Sequence, residues 1–449
     1  MIESPLRIVR LCSVFEAPDD PGGPSAAFDP VGGMQVHTSG LTRALDGRGF
    51  QQTVVTTRPP TTPRLQKLGG ARVVRLGIRM PRFRQLYGLP ASALVPRLAR
   101  RADLVHVHVG EDLVALPIAL AASRVTADRP LVVTVHCSLR HTLRVVDART
   151  AVLGAVGGWI EARGLRAADA IIVLSHRVAR LLAAGGVDPS TIHVIPPGID
   201  RDRFTTRGPD PFPEVPRPRI LFVGRLHLAK GVDAAVKAIG RLRTEGAHLV
   251  LVGDGPERRS LERTAAARGL GDRVHFTGFL KPDRIPAALS HGDVLVVPSI
   301  YEELGRVILE GMHAGIPIVA TTAGGIPEVL RDGANGLLVE PGDVDGLARA
   351  IDAVLSRPDL AARLREAARR DLAPYDADAL VDRVIEAYRE AMLRRGRPFP
   401  LPQLTPFTSE EFPPGPETGD GSVAIGGSNV PPPFDGRSDP FSSVDTSAR

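Results

Sequence analysis

Two glutamates, two cations and one histidine are the side chains of this chain whose types and spacing suit chemistry on an anionic, hydroxyl-rich ligand. Glu302 and Glu310 lie in PSIYEELGRVILEGMHAGIP (298–317), Arg225 and Lys230 in GRLHLAKG (224–231), and His136 ends VTVHCS (133–138). Eight positions of ideal helix separate two carboxylates by roughly 12 Å, about the distance from ribose to hexose in a nucleotide sugar. One carboxylate can then bind hydroxyls at each end of such a ligand. The amides of Gly305 to Val307 open a helix, where a diphosphate is well placed. Arg225 and Lys230, beyond a strand and beside a helix start, can neutralise a diphosphate leaving group without metal. The same residues also fit blander roles: solvated glutamates on a surface helix, two surface cations, a structural histidine. His106 and His108 share one strand face; metal binding there lacks a third ligand, and packing is the simpler reading. His37 follows the double glycine Gly32-Gly33 on a predicted helix.

Open α/β sheets would hold these residues together. Apolar runs at 6–15, 51–57, 71–77, 103–109, 129–137, 168–175 and 191–204 alternate with Ala/Leu/Arg segments of helical character, the pattern of a doubly wound parallel sheet. The proline-rich stretch GPDPFPEVPRP (208–218) reads as a linker, after which the pattern restarts: strands at 219–226, 248–253, 273–280, 293–299 and 317–321, with a helix at 232–244 and another ending near 268. Ligands of such sheets sit beyond the carboxyl ends of the strands, so Arg225, Phe279, Leu280 and the 298–310 stretch are expected to converge. Expected divisions are a first Rossmann-like domain (1–207), the linker, a second Rossmann-like domain (219–375), a helix at 376–396, and a disordered tail rich in proline, glycine and serine (397–449).

Composition narrows the classes. The 449 residues exceed one ordinary domain, and 43% hydrophobic content supports sizeable cores. The net charge of +6 understates the body, because residues 401–449 hold seven acids against two arginines. Arginine is scattered and aromatic content is 4%, so phosphate-bearing small molecules fit better than nucleic acid. Cys12 and Cys137 make neither a disulfide framework nor a zinc site. With no apolar stretch approaching 18 residues and no signal-peptide plan, a cytoplasmic protein is expected.

The ordered set GGMQVH, TVHCS, IPPGID, GRL with AKG, GDGPE, FTGFL and the Glu302/Glu310 pair resembles the retaining family-4 glycosyltransferases of the GT-B fold, over roughly residues 6–395. That resemblance implies two Rossmann-like domains facing a cleft. It implies transfer of a hexose or N-acetylhexosamine from a nucleotide diphosphate sugar to a hydroxylated acceptor as an α-glycoside, with no metal or other cofactor. Arg225 and Lys230 would bind the diphosphate, Glu310 the ribose, and Glu302 the hexose. The stretch Leu304, Gly305, Arg306 and Val307 would line the donor, Phe279 and Leu280 would flank the base, and Gly33 would close on the phosphate. His136 would contact the donor sugar, and the 376–395 helix would return to the first domain. The chain departs from the common pattern at Glu303, Leu304 and Pro197. Glu303 would favour a cationic acceptor or an amino sugar, or face solvent. FDPVGGMQV, TVHCS and YEELG are similar more narrowly to transferases that glycosylate aminocyclitols with UDP-sugars. Rival readings are a transferase to a lipid-linked acceptor (GDP-mannose donor, for example) with weak membrane contact through basic residues 79–101, a sugar-nucleotide epimerase, and a non-catalytic nucleotide-sugar sensor.

Overall fold

Strands buried on both faces need helices on both sides, and the chain meets this requirement twice. The computed structural model describes residues 5–15, 33–80, 85–110, 114–125, 129–137, 148–204 and 208–399. In the first half, β1 (Arg7–Cys12), β2 (Gln51–Thr57), β3 (Leu65–Leu68), β4 (Ala71–Leu76), β5 (Leu104–Val109), β6 (Leu131–Val135), β7 (Ala170–Val173) and β8 (Ile192–Val194) form one sheet in the order β3-β4-β2-β1-β5-β6-β7-β8. Every pairing is parallel except β3 with β4. The chain starts at the centre, winds outward through β2 and β4, then returns to place β5 on the other side of β1. That reversal opens a crevice beyond the carboxyl ends of β1 and β5. Helices α1 (Gly33–Gly47), α2 (Gly88–Ala99), α3 (Ala115–Val125), α4 (Ala148–Leu165) and α5 (His176–Ala184) connect these strands.

The second half repeats the plan. Strands β9 (Arg219–Val223), β10 (His248–Val252), β11 (Val274–Gly278), β12 (Val294–Val297), β13 (Ile318–Thr321) and β14 (Leu337–Val339) run parallel in the order β11-β10-β9-β12-β13-β14. Here the winding reverses between β9 and β12. Helices α6 (Val232–Ile239), α7 (Arg258–Ala267), α8 (Ile285–Ser290), α9 (Arg306–Ala314), α10 (Val344–Ser356) and α11 (Pro358–Arg370) accompany this sheet. One core lies on each of its faces, the first built on Ile220, Leu249 and Ile351, the second on Leu221, Leu295 and Ile308.

The last helix, α12 (Ala377–Arg394), is capped by Asp376, which accepts from the amides of Asp378 and Ala379 at 3.1 and 3.2 Å. It lies back on the first sheet. Tyr388 Oη stands 2.7 Å from His106 Nδ1, Arg383 donates to the Val194 carbonyl at 2.7 Å, and Arg395 just beyond α12 binds Asp169 at 2.6 Å.

Several boundaries differ from the sequence reading. The helix expected over 232–244 stops at Ile239, because Gly240 ends it and Asp352 then accepts from the amides of Arg243 and Thr244, both at 2.9 Å. Strands β3 and β14 escape an apolar-run criterion: LQKL carries a lysine and three exposed or half-exposed neighbours, and LLV is three residues long. The stretch 208–218 is no free tether. Phe212 is buried with Leu289, and Asp210 binds Arg219 at 2.6 Å, so this segment packs on the second half. Of the tail, only 397–399 lie among the described residues.

Candidate functional site

The loop after β9 approaches the end of β12 so closely that a side chain at Gly231, whose φ is +60°, would place its Cβ 2.0 Å from the Pro298 carbonyl oxygen. That approach carries Lys230 to Glu302, where Nζ donates to Oε2 at 2.5 Å. Ser299 Oγ donates to the same oxygen at 3.3 Å. The expected phosphate cation and the expected sugar carboxylate are thus paired with each other. Arg225 is exposed and forms no ion pair among the described residues.

Helix α9 begins after Gly305, held at φ +85°. Arg306 Nε donates to Glu310 Oε1 at 3.1 Å, and Arg306 also reaches the Gly198 carbonyl at 3.4 Å. Leu304 is buried and Val307 half-buried, both packed into the core beneath, so what this turn offers the cleft is its backbone amides. Leu280 packs against the same core, and Phe279 is half-buried beyond β11. Glu303 does not face solvent: its Oε1 accepts from Tyr301 Oη, and its Oε2 is buried without a hydrogen-bond partner. Burial raises the Glu303 carboxyl above its usual range, with the Tyr301 hydrogen bond and Arg177 opposing and the Glu302 and Glu161 carboxylates adding to the rise. Burial also pushes the Tyr301 hydroxyl far up.

On the first half, Gly33 opens α1 with no atom of the described residues within 4 Å of where a Cβ would stand. One turn on, His37 meets His136 edge to face with ring centroids 4.9 Å apart. His136 stacks on His108 at 5.4 Å, and His108 Nδ1 lies 3.1 Å from His136 Nε2. Desolvation and the charge of Arg10 pull His136 down to about 3, and desolvation holds His37, His106 and His108 well below the usual histidine value. These imidazoles are neutral at pH 7.

The two halves meet at this cluster. The charge of Arg306 adds to the depression of His37, and Cys137 acts on Tyr301. Below them, the Glu328 carboxylate from the second half caps α5, accepting from the amides of His176 and Arg177 at 2.6 Å each. Nitrogens of His37, His108 and His136 lie within 4.8 Å of one another, the spacing a divalent metal uses. The Arg10 guanidinium contacts His108 at 2.7 Å, however, and a fixed positive charge there opposes a second cation. Cys12 and Cys137 form no disulfide among the described residues.

Sequence reasoning missed Arg10, Tyr301, Arg177 and Glu328. Arg10 carried a signal, a charge inside an apolar strand, which a buried position must satisfy with polar neighbours. Glu328 and Arg177 carried none, because their meeting depends on how the two sheets are placed. Among the described residues, no helix is long and apolar enough to cross a membrane.

Two open α/β sheets, parallel but for β3 and each with one reversal of winding, define the GT-B fold. The model of "Glycosyltransferase Family 4" matches residues 31–203 and that of "Glycosyl transferases group 1" residues 209–371. The chain is 36% identical to a 2-deoxystreptamine glucosyltransferase of Streptomyces kanamyceticus, over 72% of this chain and 90% of the relative. It is 34% identical to a 2-deoxystreptamine N-acetyl-D-glucosaminyltransferase of Streptomyces fradiae, over 87% and 98%. Among solved structures, sucrose-phosphate synthase from Thermosynechococcus elongatus aligns with a TM-score of 0.72 at 25% identity, covering 86% of this chain and all of that one. Anabaena HepE in complex with UDP-glucose aligns at 0.67 and 24%, covering 85% and 99%. The chain belongs to the family-4 glycosyltransferases, enzymes that use nucleotide sugars.

Proposed function

We propose that this chain is a retaining hexosyltransferase that moves glucose or N-acetylglucosamine from a UDP-sugar to a hydroxyl of a small amine-bearing acceptor, an aminocyclitol, as an α-glycoside. The observation that carries the reading is the Lys230–Glu302 pair before α9, with the exposed Arg225 in the same loop as Lys230. An incoming diphosphate takes Arg225, Lys230 and the amides of Gly305 to Val307, which releases Glu302 to the hexose hydroxyls. Glu310, steadied by Arg306, uses its free oxygen on the ribose, while Phe279 and Leu280 flank the base. Gly33 leaves room for the phosphate on the first side, and His136 faces the hexose. The bond from the anomeric carbon to the phosphate oxygen breaks with its electrons going to the diphosphate. The acceptor oxygen bonds on the same face and passes its proton to that phosphate oxygen. Catalysis then rests on leaving-group stabilisation and positioning, and no metal is needed for either. The buried, unpartnered Glu303 oxygen suits the ammonium of an acceptor, in keeping with relatives named for 2-deoxystreptamine. Purified protein given UDP-, GDP-, ADP- and dTDP-sugars with 2-deoxystreptamine is expected to release UDP. No nucleotide diphosphate above blank with any pair would overturn the reading.

A lipid-linked acceptor is favoured by one observation: Ile78, Met80, Leu86 and Leu89 are 49, 51, 38 and 72% exposed in one basic segment. Residues 81–84 of that segment lie outside the described ones. Co-sedimentation with anionic liposomes, lost in Arg82→Glu/Arg84→Glu, would support that acceptor, and absence of binding removes it.

A further inference from the structure

Behind His136 lies a buried cation whose hydrogen-bond partners, among the described residues, include no carboxylate. Arg10 is fully buried in β1. Its Nη1 donates to Thr42 Oγ1 at 2.5 Å, Gln52 Oε1 at 3.3 Å and the Thr38 carbonyl at 3.4 Å; its Nη2 lies 2.7 Å from His108 Nε2. Gln52 is oriented independently, since its Nε2 donates to the Thr42 carbonyl at 2.8 Å. A guanidinium offers donors only and keeps its charge in proteins, so His108 Nε2 must accept. The neutral His108 ring then carries its proton on Nδ1, which faces His136 Nε2 at 3.1 Å. His136 Nε2 accepts in turn, and the His136 proton resides on Nδ1.

We propose that Arg10 and His108 are positioning residues that lock His136 as its Nδ1–H tautomer, so that the ring presents one fixed donor to a hydroxyl oxygen of the donor hexose. The inference rests on the reading that His136 faces that hexose. A charge held behind the histidines also explains why a strand interior tolerates arginine. It opposes protonation of His108 and His136, so no imidazolium faces the positive charge that grows on the anomeric carbon. With its proton on Nδ1 and its Nε2 pair given to Arg10, His108 has no lone pair for a metal, which leaves the three-histidine cluster short of a ligand.

The test uses the full chain labelled with 15N-histidine at pH 7.5, where two-bond nitrogen–proton spectra distinguish bare from protonated ring nitrogens. His108→Asn and His136→Gln assign the signals. Wild-type protein is expected to show Nδ1 protonated and Nε2 bare on both rings. A proton on Nε2 of either ring overturns the proposal, whatever the enzyme does. In His108→Asn the amide N–H takes roughly the place of Nδ1–H, so the His136 tautomer and kcat should persist. His108→Leu and Arg10→Met should let the His136 proton move to Nε2 and lower kcat by about 10- to 100-fold with donor KM little changed. An unmoved His136 tautomer in His108→Leu also overturns it. Absence of sugar transfer would remove the functional reading and leave the tautomers measurable, whereas transfer with the wrong tautomers would remove only this proposal.

Discussion

Lys230 Nζ donates to Glu302 Oε2 at 2.5 Å, and under the proposed function an incoming diphosphate would take Lys230 from that partner. In Lys230→Ala, Glu302 loses its main donor and the leaving group loses a cation. We expect kcat to fall by about 10²–10³, measured as nucleotide diphosphate release at saturating donor. Glu310→Ala acts on binding instead. Its loss should weaken UDP by about 10- to 100-fold by calorimetry, the scale of a hydrogen bond to a charged group, with the midpoint of thermal unfolding unchanged in the absence of nucleotide. Glu303 departs from the family pattern, and its place explains the departure: one oxygen is engaged by Tyr301 and the other is buried and free. Glu303→Gln should raise KM for an amine-bearing acceptor and leave UDP affinity alone; equal use of amine-bearing and amine-free acceptors by the wild type would remove that role.

Elements bring these side chains together through backbone approaches that side chains would block. At Gly324, with φ +60°, a Cβ would stand 1.6 Å from the Glu302 carbonyl oxygen. Gly324→Ala therefore has to move the 299–305 turn; we expect a loss of about 1–3 kcal/mol in stability and a lowered kcat, by urea titration and turnover. The histidines of β5, α1 and the end of β6 form the opposite wall and are all depressed in pKa. Their protonated forms are favoured in the unfolded chain, which takes up protons below about pH 6.5 while the folded chain, with His136 at about 3, does not. Stability is thus full above pH 6.5 and falls as pH drops toward the folded values, by about 2 kcal/mol at pH 5 for His136 alone. The urea midpoint should decline steeply from pH 6.5 to 5; a flat profile would contradict a neutral buried cluster.

At the scale of the molecule, α12 ties the end of the second half to the sheet of the first. Its Tyr388 reaches the same histidine cluster through His106. Tyr388→Phe leaves His106 Nδ1 buried without that partner and should cost about 1–3 kcal/mol, read by urea unfolding, with UDP affinity little changed because Tyr388 is outside the proposed donor contacts. Helix α12 and the Glu328 cap on α5 both cross between the halves.

Sequence by itself determined the two α/β halves, the order along the chain of their strands other than β3 and β14, and the turns that carry Arg225, Lys230, Glu302 and Glu310. Local pattern suffices for these, since apolar runs, glycine turns and helix starts are set by neighbours within a few residues. It placed His136 at a strand end and His106 and His108 on one strand face for the same reason. Only the tertiary structure decided that Lys230 grips Glu302, that Glu303 turns inward, and that His37, His108 and His136 gather over Arg10. The Lys230–Glu302, Arg10–His108 and His108–His136 contacts join residues 72, 98 and 28 positions apart, and the first two lie in or just beyond strands made neighbours by the reversal of winding between β9 and β12 and between β1 and β5. No periodicity in the chain encodes which strand lies beside which; burial and hydrogen-bond satisfaction across the sheet decide it.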